Sequence, residues 1–542
     1  MAFKPLFVRY ACTLLSVFGG TIIAQQTPTL VVSLVVDQMR AEYLYRFEDQ
    51  FTGGLQRLLK EGTVFRECHY SYVPTYTGPG HASIYTGTDP MHHGIIGNDW
   101  FDRTRDRMVY CVEDPDVTPI GSSNPASKRS PLLLQSTTWT DELEWATQKA
   151  SKVFAFSLKD RGAILPAGHF ADAAFWYDDQ IEGFVTSSHY ASELPSWLAA
   201  FNAEKPVARL MQGLQEPLGH GRFSGPDASL FEKRLMGMGP RVYPLDLAAV
   251  YAAGKGDAIR RVPQGNSLLF QVAKRAIEKE QLGRHAQTDV LALSFSTPDY
   301  IGHDVGTRGK EIEDVYLRFD LELGAFLAYL DAAVGKDNYL VTLTADHGAA
   351  DNPGQMRAMG MADAQAWNDA DFEASLKEAL APSFAIYPVR TVCNDQVYVL
   401  SEFQKPEVLE KIKTALLSHP AVAHVFTSAT LSNSSQEEVS LRYNGANKFS
   451  GDVFFALKPG HLLYSQTGTT HGSGYSYDTH VPLLFYGKNV TSSQVYRTVK
   501  VKDIAPTMSH LLHIARPSAS TGEPLKEVLK GKEKTSSKKK RR

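Results

Sequence analysis

Five continuous apolar, β-branched runs constrain the fold of this chain more than any other feature. In chain order they cover residues 29–36, 152–157, 289–295, 339–344 and 480–486. Runs without polar alternation are typical of strands buried on both faces of a parallel sheet. Helical patterns lie between or after them, at about 41–60, 266–280, 311–334, 406–418 and 503–512. This alternation predicts an α/β fold with a mostly parallel central sheet and helices on both faces.

Acidic residues and histidines collect where these runs end or begin. Asp37 directly follows the first run, at the end of a strand where α/β sheets place their ligands. Five more residues stand beside other runs: Asp299, His303, Asp346, His347 and His480. Carboxylate oxygen and imidazole nitrogen are the usual non-thiolate ligands of zinc. Each residue alone is more often a cap or a core group, but six together predict a site for two metal ions.

A threonine precedes a glycine- and proline-rich turn in the segment PTYTGPGHASIYTG, residues 74–87. Thr77 would stand at a helix N-terminus, where unpaired N–H groups and the helix dipole favour an anion. Its hydroxyl becomes nucleophilic only when a base or a metal lowers its pKa. Thr77 is therefore the candidate nucleophile toward a phosphoryl or sulfuryl group. Taken alone, the segment fits a turn with a capping threonine better.

Two cations follow the run at 152–157. If the extended backbone continues, Lys159 and Arg161 point to the same side of the chain. Two neighbouring cations repel each other unless they share an anion. The alternative is a solvated basic pair at the end of a strand.

Composition predicts how the chain is divided into a signal peptide, a catalytic domain and a tail. Residues 1–24 join a basic start to a short apolar stretch, which predicts a signal peptide and a periplasmic or secreted protein without a transmembrane anchor. Residues 529–542 predict a basic, disordered tail. Between them, 25–528 would form one catalytic domain, with inserted cap segments at about 170–262 and 352–466, where the periodicity weakens.

Three cysteines remain after the predicted signal peptide: Cys68, Cys111 and Cys393. An exported protein has room for one disulfide among them, but the sequence does not select a pair. Their spacing excludes a Cys-x-x-Cys zinc site. Because no stretch apart from the tail resembles a basic nucleic-acid patch, we expect a small-molecule partner and no nucleic acid.

Six motifs occur in a fixed order: VVDQMR, PTYTGPGHASIYTG, HHGIIGND, STPDYIGHD, TADHG and DTHVP. As a set they resemble the alkaline phosphatase superfamily, and within it the type I phosphodiesterase and nucleotide pyrophosphatase-like branch. The segment SLKDRG is similar to the Lys-x-Arg of PafA-type secreted bacterial alkaline phosphatases. The resemblance covers nearly the whole mature chain apart from the insertions and the tail.

The resemblance implies two Zn²⁺ ions per chain. The positions that match the family's first-zinc ligands are Asp299, His303 and His480. Those that match the second-zinc ligands are Asp37, Asp346 and His347, together with the nucleophile Thr77. Three further positions match the groups that hold phosphoryl oxygens: Asn98, Lys159 and Arg161.

The implied activity is hydrolysis of phosphate monoesters at alkaline pH, through a covalent phosphothreonine on Thr77. Asn98, Lys159 and Arg161 suit a dianionic monoester better than a monoanionic diester. We expect a monomeric enzyme with small phosphate monoesters as substrates. The nearest alternative is a phosphodiesterase or nucleotide pyrophosphatase that uses the same two zinc ions.

More distant alternatives fit less well. A sulfatase would need a cysteine or serine followed by x-Pro-x-Arg, and neither the three cysteines nor Thr77 has that context. Relatives with a serine nucleophile, manganese or a third magnesium site match fewer positions. A secreted binding protein that keeps the metals without turnover is disfavoured, because the nucleophile and the cationic pair accompany the ligand set.

Overall fold

The computed structural model describes residues 27–218, 227–431, 441 and 444–529. The predicted signal peptide at 1–24 lies outside these residues, as does the predicted tail at 529–542 apart from its first residue. Within the described part of the chain, no helix is both long and apolar enough to cross a membrane.

Ten strands build the central sheet. We label them in chain order β1 (Leu30–Val36), β2 (Thr63–His69), β3 (Pro119–Ile120), β4 (Val153–Ser157), β5 (Ala173–Asp178), β6 (Gly183–Ser187), β7 (Asp289–Phe295), β8 (Tyr339–Thr344), β9 (His480–Gly487) and β10 (Ser493–Lys500). Their spatial order is β10-β2-β9-β8-β1-β7-β4-β5-β6-β3. The strands from β8 to β5 are mutually parallel, and antiparallel pairs flank them on both sides. All five predicted runs are strands of this sheet, so the predicted fold class is confirmed.

Helices cover both faces of the sheet. Six of them shape or support the site: α1 (Gly54–Glu61), α2 (Thr77–Thr86), α3 (Asp160–Ala167), α4 (Gln264–Glu280), α5 (Thr297–Val305) and α6 (Lys310–Leu330). The shorter or peripheral helices are Tyr43–Arg46, Pro90–His93, Trp139–Ala146, Ser196–Ala203, Pro206–Leu210, Leu247–Gly254, Pro353–Ala358, Asp369–Leu380, Pro406–Leu417, Ser428–Leu431, Ser476–Thr479, Ile504–Leu512 and Lys526–Leu529. Every residue of β1, β7 and β8 is buried, because helices pack on both faces of these strands.

The predicted insertion at 170–262 is partly wrong. Its first strands, β5 and β6, belong to the central sheet, and β5 pairs in parallel with β4. The aromatic residues that obscured the periodicity here are buried sheet residues, including Phe175 and Trp176. The described residues of this region after β6 lie outside the central sheet and include a two-stranded pair at Leu214–Gln215 and Leu245–Asp246.

The region 352–466 builds a second sheet. Its four antiparallel strands lie in the order Val389–Cys393, Gln396–Val399, Val453–Leu457 and Val422–Thr427. This sheet and the helices at 369–380 and 406–417 enclose a hydrophobic core separate from the main one. Two further small pairs are Asp99–Asp102 with Arg107–Tyr110, and Gln365–Trp367 with His461–Leu463.

The cysteines form no cross-link in the structure. Cys68, Cys111 and Cys393 are each a free thiol, and the first two are buried. The disulfide that the sequence left open is therefore not present.

The predicted helix at 41–60 is broken into two, and one carboxylate causes the break. Asp320 on α6 is buried and accepts four backbone N–H groups that precede or open α1. The donors are the amides of Thr52, Gly53, Leu55 and Gln56, at 2.6–3.2 Å. Asp320 satisfies orphan donors of a new helix N-terminus, so the chain restarts a helix at Gly54.

Replacing this carboxylate should destabilise the fold. We expect Asp320→Ala to lower the free energy of unfolding by about 2–4 kcal/mol, because buried charge-assisted hydrogen bonds are lost and their donors stay unpaired. Thermal unfolding followed by circular dichroism measures the change. Asp320→Asn should cost less, and Asp337→Ala, at an exposed position, should change little. An unfolding midpoint for Asp320→Ala equal to that of the parent protein would contradict this role.

Candidate metal centre and phosphoryl site

Three buried carboxylates meet at the carboxyl ends of the central strands. Asp37 follows β1, Asp346 follows β8, and Asp299 lies in the first turn of α5 after β7. Because β1 pairs with both β7 and β8, their ends lie side by side. The three side chains are at most 4% exposed. The strand order therefore places three acidic groups in one buried space.

Gln38 and Lys159 hold these carboxylates together. The Gln38 backbone N–H donates to Asp346 Oδ1 at 3.1 Å, and its side-chain amide donates to Asp299 Oδ1 at 2.7 Å. Lys159 Nζ lies 2.6 Å from Asp37 Oδ2 and 2.5 Å from Asp299 Oδ2. Burial disfavours the Lys159 ammonium, but Asp299 and Asp37 outweigh this effect and raise its pKa. Lys159 therefore stays charged between the two acids.

Three histidines direct the same ring nitrogen, Nε2, toward the carboxylates, while Nδ1 is anchored on the backbone. The Nδ1 atoms of His303, His347 and His471 lie 2.7–2.9 Å from the backbone carbonyls of Thr469, Gly348 and Thr75, respectively. A carbonyl only accepts, so Nδ1 carries the proton when each ring is neutral, and Nε2 holds a lone pair. These Nε2 atoms lie 3.2–3.7 Å from Asp299 or Asp37. Anchoring of one ring nitrogen on a carbonyl is typical of metal-ligating histidine.

The donor set suits a divalent metal ion. Two groups have ligand atoms within 4.8 Å of one another: Asp37, Asp346 and His347, and Asp299, His347 and His471. Asp37 Oδ1 and Asp346 Oδ2 are buried and have no hydrogen-bond partner among the described residues. Burial and the neighbouring Asp299 and Asp346 raise the pKa of Asp37 well above its usual range. Unpaired buried oxygens of this kind are costly without a cation.

The predicted ligand His480 is wrong. At the start of β9 its ring stacks on His69 of β2, with centroids 4.6 Å apart, and its Nε2–H donates to the Arg66 carbonyl at 2.7 Å. β9 pairs with β2 through this residue, so the ring is held beside β2. His471 occupies the expected place instead, stacked on His347 with centroids 3.5 Å apart.

Sequence periodicity could not identify His471, because it lies outside any helix or strand. The only signal was its Thr-His-Gly-Ser context. Gly472 has a φ of 127° and packs against the ring of Tyr76, where a side chain would overlap the ring. A residue other than glycine would be strained in this turn.

Thr77 is the first residue of α2 and is fully buried, with Oγ1 3.4 Å from His347 Nε2. Asn98 Oδ1 accepts the Gly78 N–H at 2.8 Å, so the Asn98 amide NH₂ points away from that N–H. The structure thus brings the predicted nucleophile beside the carboxylate cluster, and Asn98 beside the nucleophile.

His81, which the sequence analysis did not select, anchors the same helix. Its Nδ1–H donates to the Thr77 carbonyl at 2.9 Å, and its Nε2 accepts the Ser294 hydroxyl at 2.8 Å. Burial lowers the pKa of His81 to about 3, so the ring is neutral and keeps this tautomer. Gly80 packs so tightly on the Asp346 backbone that a methyl group would overlap its carbonyl oxygen. These contacts fix Thr77 relative to the end of β8.

Lys159 and Arg161 line the same cavity, but they do not lie on the continuous extended backbone that the sequence predicts. The extended backbone ends at Lys159, which is the N-cap of α3, and Arg161 lies in the first turn of that helix. Arg161 donates to the Tyr110 hydroxyl at 2.9 Å, and its Nε is buried without a hydrogen-bond partner among the described residues. Both cations line one cavity of about 210 Å³, together with Trp176 and Tyr300.

Comparison with known proteins places the chain in a family. A family model described as type I phosphodiesterase / nucleotide pyrophosphatase matches residues 31–481. The chain belongs to this family. It is 41% identical to the alkaline phosphatase PafA of Elizabethkingia meningoseptica, over 95% of this chain and 97% of PafA. It is 38% identical to a Myroides odoratus protein named calcium-transporting ATPase, over 98% of this chain and 100% of that protein. It is 39% identical to the alkaline phosphatase PhoV of Synechococcus elongatus, over 95% of each chain.

The fold agrees with the family assignment. The crystal structure of PafA matches this structure with a TM-score of 0.89 and 39% identity, over 93% of this chain and 99% of PafA. A PafA variant with substitutions at a threonine, an asparagine, a lysine and an arginine matches with a TM-score of 0.87, at 38% identity and over the same shares of the two chains.

The two histidine assignments can be separated by mutation. We expect His471→Ala to lower kcat/KM by more than roughly 100-fold, since even changes behind metal ligands cost 10–100-fold. His480→Ala should leave kcat/KM within roughly twofold, because its ring is held beside β2. Steady-state hydrolysis of an aryl phosphate at saturating zinc measures both. The reverse order of effects would restore the original prediction.

Proposed function

We propose that this protein is a zinc-dependent alkaline phosphatase that hydrolyses phosphate monoesters to an alcohol and inorganic phosphate. One observation carries the proposal: the buried Thr77 hydroxyl lies 3.4 Å from His347 in a carboxylate–imidazole cluster that also binds Lys159. Asn98 accepts the N–H of the residue after Thr77, and Arg161 shares a cavity with Lys159. The near full-length similarity to PafA and PhoV supports the same activity. The substituted residue types of the PafA variant are also those of Thr77, Asn98, Lys159 and Arg161.

Two Zn²⁺ ions per chain would complete the site. We assign Asp299, His303 and His471 to the first ion, and Asp37, Asp346, His347 and Thr77 to the second. When bound, the ions supply Lewis acidity that lowers the pKa of a bound hydroxyl or water and stabilises a leaving oxygen. The anchoring of all three histidines through Nδ1 and the unpaired carboxylate oxygens support this assignment.

The reaction would proceed in two displacements at phosphorus. Thr77 Oγ forms a bond to phosphorus while the ester P–O bond breaks, the alcohol leaves, and a phosphothreonine remains. Water then attacks phosphorus, the bond to Thr77 breaks, and inorganic phosphate is released. Two inversions retain the configuration at phosphorus. The N-terminus of α2 faces the anion throughout, and His81 holds the Thr77 carbonyl in place.

Charge separates the two candidate substrate classes. A monoester dianion presents three non-bridging oxygens, and Asn98, Lys159 and Arg161 together offer three sets of donors with two positive charges. A diester is a monoanion whose second organic group would have to occupy the space beside these cations. We therefore favour monoesters, with phosphodiesterase or nucleotide pyrophosphatase activity as the weaker alternative. The predicted signal peptide supports a periplasmic or secreted location.

Paired substrates test the cationic pair. On zinc-loaded enzyme at pH about 8.5, we expect an aryl phosphate monoester to react faster than the matched methyl diester. Lys159→Ala/Arg161→Ala should lower monoester kcat/KM by roughly 100-fold or more while diester rates change little, because only the dianion needs both charges. Lys149→Ala, at an exposed position, is the matched control. A diester preference in the parent enzyme would assign the protein to the phosphodiesterase branch.

The covalent step has its own test. Thr77→Ala should abolish turnover, whereas Thr77→Ser should retain part of it, because serine keeps the attacking hydroxyl. Acid quenching during turnover of a ³²P-labelled monoester should trap label on the parent chain and none on Thr77→Ala. Removal of the metals with a chelator should stop turnover, and added zinc should restore it. Labelled protein in the Thr77→Ala variant would disprove the role of this hydroxyl.

A further inference from the structure

His480, which the catalytic centre does not use, belongs to a second cluster of metal-ligand side chains. Glu67, His69 and His480 bring a carboxylate oxygen and two imidazole nitrogens within 4.8 Å of one another. All three lie where β2 pairs with β9, apart from the carboxylates of the catalytic centre. We refer to them as the β2–β9 cluster.

Strand register creates this cluster. His69 and His480 are directly paired across the antiparallel strands, so their side chains lie on the same face of the sheet. Glu67 precedes His69 by two residues on β2 and shares that face. The rings stack with centroids 4.6 Å apart and an interplanar angle of 13°, so their in-plane lone pairs lie in nearly parallel planes. Binding one ion through both rings therefore requires the His69 ring to rotate out of the stack. The paired strands therefore hold one carboxylate and two imidazoles together without a flexible loop.

The hydrogen bonds leave nitrogen lone pairs available. His480 Nε2 lies 2.7 Å from the Arg66 carbonyl, which can only accept, so Nε2 carries the proton and Nδ1 holds a lone pair in the neutral ring. His69 Nε2 lies 3.2 Å from Glu67 Oε2, so a proton lies between these two groups. Burial lowers the pKa of His69, which keeps its ring neutral near pH 7. An imidazole anchored on a backbone carbonyl is the arrangement found behind metal-ligating histidines.

We propose that Glu67, His69 and His480 form a zinc site separate from the catalytic centre. The ion would replace the proton between Glu67 and His69, which passes to solvent, and would take His480 Nδ1 as its third protein ligand. Two imidazoles and one carboxylate favour zinc over magnesium or calcium. The Glu67 side chain is 47% exposed and that of His69 is 20% exposed, so an ion and a water ligand can reach the site. Lys500 of β10 is in register with His69, and its positive charge disfavours a cation there. The negative charge of Glu67 offsets this repulsion.

A zinc ion here would cross-link two strands of the central sheet. β9 begins directly after the segment that carries His471, and Ala41 near Asp37 donates its N–H to the His480 carbonyl. The ion would therefore hold the start of β9 in place beside the catalytic centre. We expect it to raise the thermal unfolding midpoint without changing turnover.

Zinc stoichiometry tests the proposal. The full mature chain is equilibrated against a series of zinc buffers, passed through gel filtration, and measured for metal content per chain. Parent protein is compared with His480→Gln and His69→Gln. Glutamine at 480 keeps an N–H donor for the Arg66 carbonyl but supplies no ring nitrogen. We expect each variant to hold one zinc per chain fewer than the parent, with unchanged monoester kcat/KM. His510→Ala, at an exposed helix position, should match the parent.

The test measures the difference in zinc content between parent and variant, so its result does not depend on how many ions the catalytic centre holds. Should a histidine variant fail to fold, Glu67→Gln at the exposed position removes one ligand and should weaken binding of the additional zinc. Equal zinc content in the parent and in the folded ligand variants would overturn the proposal. So would a midpoint that falls equally with and without zinc, since stacked histidines alone predict that result.

Discussion

Repulsion among buried carboxylates is the constraint on which this active centre depends. Asp37, Asp299 and Asp346 are almost completely buried within reach of one another, and moving each ion out of water costs several kcal/mol. Burying such a group does not by itself stabilise the fold. Lys159 offsets part of the charge directly, and three histidines anchored through Nδ1 direct Nε2 toward the carboxylates, where a bound cation could use the lone pairs. The cluster is therefore understandable as a metal site and not as a structural ion-pair network.

The strand order makes that cluster possible. β1 lies between β7 and β8, so three acidic positions far apart in sequence come to one edge without long loops. α2 then lays its N-terminus across this edge, held by His81 and by the close approach of Gly80 to Asp346. The proposed nucleophile is thus placed by helix packing, which suits a reaction that depends on precise alignment at phosphorus.

The sequence was informative where chemistry follows regular structure. Asp37, Asp299 and Asp346 could be predicted because each follows a buried apolar run that marks a strand. His303 could be predicted because it follows Asp299 by one helical turn. His471 could not be predicted in this way. Its position depends on a glycine turn and on the packing of Tyr76, and neither feature produces a periodic sequence pattern. His480 was chosen because it begins a strand, but strand register directs its ring to His69. The aromatic strands β5 and β6 were missed because bulky buried residues resemble an irregular insertion.

In the proposed mechanism, Lys159 serves both the folded protein and its substrate. Its ammonium bridges Asp37 and Asp299, and the proposed assignment gives each of these acids to a different zinc ion. A carboxylate oxygen bound to a divalent ion is a weaker acceptor for an ammonium group, because part of its charge is already neutralised. The best remaining acceptor near Lys159 is then a non-bridging oxygen of the phosphoryl group. Metal binding and recognition of a dianion would thereby be coupled through one lysine, and a monoanionic diester would gain less from that coupling.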